Sequence, residues 1–118
     1  MKTFKEFYQE QNHLSHLYAT YNMQINIITP DISTVKAFMK KLDRKHFTEC
    51  TTLYCPEDKY YLLFKSDRPK MLLQYLISVA SHMFIDNDGV DDIDIEIRPV
   101  KTDFFKFLHE NRAEIINL

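Results

Sequence analysis

The chain has 118 residues, 45% of them hydrophobic and 14% aromatic, with a formal net charge of −2. That length and apolar content fit one folded domain with a core of its own and exclude a disordered tail. The near-neutral balance excludes a strongly basic nucleic-acid binder and a polyanionic mimic, and the single glycine, Gly89, excludes the glycine-rich phosphate loops of most nucleotide enzymes.

Residues 3–20 read as a helix, with Phe4, Phe7, Tyr8, Leu14, Leu17 and Tyr18 at helical spacing. Met23 to Ile28 reads as a short strand, Gln24 and Asn26 alternating with Ile25 and Ile27. Thr29-Pro30-Asp31 is a helix start with Thr29 as cap, and the helix runs to about Arg44. Phe47 to Tyr54 and Lys59 to Lys65 form a hairpin about the turn Cys55-Pro56-Glu57-Asp58. The second of these strands is apolar on both faces. Ser66-Asp67-Arg68-Pro69 opens a helix to about Phe84 whose apolar residues wrap most of its circumference, predicting deep burial. Asp86-Asn87-Asp88-Gly89 is a loop, and Asp92 to Arg98 alternates acids with Ile93, Ile95 and Ile97 as a strand. Thr102 caps a last helix bearing Phe104, Phe105, Leu108, Ile115 and Ile116.

This order predicts an α+β domain over residues 1–118, with a ferredoxin-like βαββαβ core and additional N-terminal and C-terminal helices. Right-handed crossovers place the two inner helices on one face of the sheet. Whether the terminal helices cover the other face decides whether that face is a site. The two cysteines, Cys50 and Cys55, lack redox or metal spacing, and no signal core or span-length apolar run occurs. The expectation is a cytoplasmic protein with no cofactor and no membrane partner.

Six of the eleven residues from Asp86 to Glu96 are acidic. Threading them as a calcium loop fails: Gly89 at the sixth position puts Phe84 first and Ile95 twelfth, where carboxylates are needed. Asp86, Asp88, Asp91, Asp92, Asp94 and Glu96 are read instead as a docking surface for a basic protein partner. The alternative is RNA binding through Lys59, Tyr60, Tyr61, Lys65, Arg68 and Lys70. The hairpin strand has the aromatics of an RNA-recognition strand but not its glycines, and Asp92, Asp94 and Glu96 would repel phosphates. A second alternative rests on His46-Phe47-Thr48 and His13-Leu14-Ser15, triplets that resemble those of two-histidine phosphoesterases. His13 and His16 share a helix face, with no third metal ligand nearby. Cys50 and His46 on one strand would stand ~13 Å apart, too far for a nucleophile and its base.

The opening Met1-Lys2-Thr3-Phe4-Lys5-Glu6-Phe7 resembles that of small accessory proteins of tailed phages. Tyr60-Tyr61 is similar to the Tyr-Tyr hairpin strand of small phage translational repressors. The resemblance implies a phage-encoded protein that acts on its host by binding. The expected function is therefore a non-catalytic inhibitor or adaptor working by protein–protein contact, with a homodimer compatible with every reading.

Overall fold

A computed structural model describes residues 21–85, 94–101 and 103–117. The expected first helix (3–20), Asp86, Asp88, Asp91, Asp92 and the expected cap Thr102 lie outside the described residues.

Strand β1 (Met23–Ile28) turns Met23, Ile25 and Ile27 to one face, each no more than 2% exposed. Helix α1 (Ile32–Lys41) follows, capped by Asp31, whose Oδ1 accepts from the Ser33 N–H at 2.9 Å. The sequence puts the cap on Thr29. Instead Thr29 Oγ1 accepts from the Asp31 N–H at 3.2 Å and shapes the entry. A carboxylate at the positive helix end is the better cap. A short 3₁₀ turn, Arg44–His46, leads into β2 (Glu49–Cys55), which pairs with β3 (Lys59–Lys65). The hairpin turn holds Glu57 and Asp58 at φ 71° and 60° without a glycine.

Helix α2 (Pro69–Ala80) starts with Pro at its first turn and passes into a wider turn, Ser81–Ile85. Strand β4 (Asp94–Pro99), helix α3 (Phe104–Glu110) and strand β5 (Glu114–Ile116) complete the described chain. The fold is α+β. Its five-stranded sheet is antiparallel at every seam, in the order β4-β1-β3-β2-β5.

Helices α1 and α2 share one face, over a core that includes Ile25, Ile27, Val35, Phe38, Leu62, Phe64, Leu72 and Leu76. Only Leu72, Leu76 and Ala80 of α2 are buried, while Met71 is 57% and Ile77 46% exposed. The predicted deep burial of this helix is corrected: one helix flank fits the sheet, and the remaining apolar side chains stay outside. The opposite face carries a smaller core of Tyr21, Leu53, Cys55, Tyr61 and Leu63 beneath Phe104 and Leu108 of α3.

The predicted last helix is also corrected, since it ends at Glu110 and Glu114–Ile116 pairs with β2. The cause is a reversing turn. Arg112 sits at φ 54°, and the Ala113 N–H donates to the Leu108 carbonyl at 3.1 Å, closing a Schellman-type end. The β-branched Ile115 and Ile116 then suit the sheet edge. Because Arg112 carries a Cβ in the left-handed region, Arg112→Gly is expected to stabilise the domain by about 0.5–1 kcal/mol. Urea midpoints check this, and a midpoint unchanged or lowered overturns it.

A polar half-face beside the edge strand

Alternation on β1 sends Gln24 and Asn26 to the face opposite Ile25 and Ile27. That face divides in two. Over β3 and β2 it is apolar and covered by α3: Tyr61 meets Phe104 and Phe107 edge-on, with ring centroids 5.6 and 5.5 Å away. Over β1 and β4 it is polar. Gln24 stands opposite Arg98, Asn26 opposite Glu96, and Ile28 opposite Asp94.

Gln24 is fully buried. Its Nε2 donates to Asn26 Oδ1 at 3.0 Å, while its Oε1 and the Arg98 Nε have no partner among the described residues. Arg98 Nη1 reaches Glu96 Oε1 at 3.0 Å. A cavity of about 230 Å³ opens at the β4 end of this row, between Asn26, Ile28, Lys59, Tyr61, Asp94 and Glu96. Burying an amide with an unmade hydrogen bond costs roughly 1–3 kcal/mol. An apolar side chain would avoid that cost, so this row is where the chain departs from what stability alone would select. Chemically it offers two exposed carboxylates and an amide as acceptors for a cationic side chain, beside the cations Lys59 and Arg98, the second of which already pairs with Glu96.

Of the sequence-predicted docking residues, Asp94 and Glu96 therefore lie side by side on this polar face, both exposed. The six residues singled out for RNA do not form one surface. Tyr60 is 6% exposed on the helix-covered face, tilted against Tyr54 at 5.2 Å. Tyr61 points the other way and is 5% exposed. Burial pushes its hydroxyl up to about 12, with Cys55 adding and Arg98 opposing. Lys59 sits by the hairpin turn, 3.6 Å from Glu57. Lys65, Arg68 and Lys70 are exposed at the far end of β3, ~20 Å from Lys59 along the strand.

Those three cations gain neighbours that the sequence reading did not single out. The end of α1 and the 3₁₀ turn bring Lys40, Lys41, Arg44 and Lys45 to the same end of the molecule, where the Ser66 hydroxyl donates to the His46 carbonyl at 3.2 Å. A cleft of about 870 Å³ opens there, between Lys36, Lys40, Arg44, Phe47, Glu49 and Cys50. The local signal was the run Lys40-Lys41 and Arg44-Lys45; only topology adds residues 65–70.

The remaining chemistry is accounted for by contacts. His46 stacks on Tyr75 at 3.8 Å, and Thr48 Oγ1 donates to the Lys65 carbonyl at 3.1 Å. His13, Ser15 and His16 lie outside the described residues. Burial pushes the Cys50 thiol up to about 12, against a smaller pull from Arg44. It likewise pushes Cys55 up to about 11, against Lys59. Both thiols are poor nucleophiles at neutral pH. Among the described residues no group of three or more His, Cys, Asp or Glu side chains could hold a metal ion. None of the described helices is long and apolar enough to cross a membrane. No protein-family model, curated protein or solved structure matches the chain.

Proposed function

We propose that the protein is a small intracellular binding domain, an inhibitor or adaptor that modulates a protein partner by contact. In this reading Asp94 and Glu96 meet a basic patch on that partner. The observation that carries it is the pairing of these exposed carboxylates with the buried Gln24 and half-buried Asn26 on one half-face of the sheet. Carboxylates at an exposed rim steer a cationic partner, and the adjoining half-buried Asn26 can orient it. The sequence of elements from β1 to β4 and their order in the sheet support reading the core as ferredoxin-like, with β5 as an added edge. The likeness of the opening seven residues to phage accessory proteins supports a host-directed role.

The test is capture from nuclease-treated bacterial lysate, followed by affinity measurement on the purified partner. Asp94→Asn with Glu96→Gln is expected to weaken that affinity about tenfold while leaving the unfolding midpoint nearly unchanged. Equal affinity for both proteins would sink the acidic-face reading.

A second reading is favoured by the basic end, where seven Lys or Arg face three acids in residues 40–49 and 65–70. RNA held there would lose affinity steeply with salt. Lys65, Arg68 and Lys70 from the original set would take part, while Tyr60 and Tyr61 would not. An affinity for RNA that is flat between 50 and 200 mM salt, roughly the range where phosphate contacts are lost, counts against it.

A further inference from the structure

We propose that β4 is a homodimer seam, joining two sheets of this chain edge to edge about a two-fold axis through Ile97. This inference rests on its own observations but shares Glu96 with the partner-binding reading above, so it is tested on the protein alone, without a partner. Three observations meet at this strand.

The first is a long edge with no described strand beyond it. β4 runs six residues in unbroken register with β1, and on its other side no described strand pairs with it. Edge strands are ordinarily blunted by an internal proline, a bulge, charged side chains or a covering element. Asp94–Pro99 has no bulge, and its one proline is the last residue; its charges, Asp94, Glu96 and Arg98, are of both signs, so they oppose most strands but can match a second copy. The opposite edge, β5, has only three residues.

The second is charge self-complementarity. A two-fold axis normal to the sheet keeps the helices of both copies on one side. Centred on Ile97, it sets Ile97 opposite Ile97, and Glu96 opposite Arg98 of the second copy, twice. Opposite charges directly across an antiparallel seam stabilise it, and like charges oppose it. Moving the axis to Arg98 sets Arg98 against itself, and moving it to Ile95 sets Asp94 against Glu96; moving it to Glu96 sets Glu96 against itself beside two Asp94–Arg98 pairs, so the Ile97 register is the one with opposite charges across the seam and no like pair.

The third is an apolar flank above the same edge. Tyr75 of α2 turns toward α1, its hydroxyl accepting from the Asp43 N–H at 2.7 Å. Leu73 and Ile77, one turn apart, fall on the flank away from α1. α2 rests on β4 and β1. With strands about 4.8 Å apart, two copies paired through β4 hold their α2 axes roughly 10 Å apart. That is a normal helix-packing distance. Ile77, 46% exposed in one copy, then meets its equivalent.

Sedimentation equilibrium on the full chain is the test. The expected mass is twice 14.2 kDa at micromolar to submillimolar concentration. Glu96→Arg alone and Arg98→Glu alone are each expected to weaken the dimer about tenfold or more, by setting like charges opposite. An equimolar mixture of the two variants should recover the dimer, and so should the double exchange in one chain. Ile77→Lys, at a surface position, should also dissociate it. Circular dichroism confirms folding of each variant. A monomer throughout that concentration range overturns the proposal. So does a dimer that neither charge reversal nor Ile77→Lys weakens.

Discussion

Phe64→Ala is expected to cost about 3–5 kcal/mol, a large share of the roughly 5–15 kcal/mol that holds a domain of this kind together. Phe64 lies on β3, with β1 on one side and β2 on the other, and is fully buried. Its ring takes the Phe47 ring edge-on at 5.0 Å, and it stands opposite Met23 on β1 and Cys50 on β2. Truncation removes the apolar transfer energy and leaves a cavity that three strands cannot close without losing register. Urea denaturation reads the effect as a lower midpoint with an unchanged slope. Met71→Ala is the control. More than half of that side chain faces solvent, so its loss should fall within about 1 kcal/mol. A loss below 1 kcal/mol for Phe64→Ala would mean that the β3 centre is not the main core.

How far the residues foretell this architecture depends on whether the determining contact is local. The double-sided burial of β3 was legible because Tyr60, Leu62 and Phe64 alternate with Tyr61 and Leu63, leaving no polar face. The outward acids of β4 were legible for the same reason, as was the placement of α1 and α2 on one face. β5 was not. Ile115 and Ile116 continue a helical spacing from Phe104 and Leu108, and the chain reverses at Arg112, a residue with no visible preference for a positive φ.

The burial of Gln24 was not legible, for a related reason. Gln24 and Asn26 alternate with isoleucines as they would on any half-solvated strand. Burial of Gln24 follows from β1 lying between β4 and β3, a long-range fact. The tyrosine pair shows the same limit. Alternation does send Tyr60 and Tyr61 to opposite faces, but which faces are covered is decided by α1, α2 and α3, far away in the chain. Among the described residues, α3 covers the β3–β2 half of the second sheet face, and the β1–β4 half carries the polar side chains.

Stability is expected to fall steeply as pH rises above 9. The two thiols carry this effect. Their ordinary value is 9.0, and burial raises Cys50 to about 12 and Cys55 to about 11 in the folded chain. Between pH 9 and 11 the unfolded chain releases both protons while the folded chain retains them. The unfolded state then binds fewer protons, so unfolding becomes easier with each step in pH. The stabilisation is fully present below pH 9 and is lost as pH climbs toward the folded values. Each thiol contributes up to about 1.4 kcal/mol per pH unit, so the pair contributes at most roughly 3 kcal/mol per unit across that window. Tyr61, raised from 10.0 to about 12, steepens the loss above pH 10. Urea midpoints at pH 8, 9, 10 and 10.5 measure the slope. Replacing both cysteines by alanine should remove most of it between pH 9 and 10, where Tyr61 of the unfolded chain has only begun to ionise. If the double variant declined as steeply as the parent chain there, the thiols would not be its cause, and Cys50 and Cys55 would have to ionise in the folded sheet.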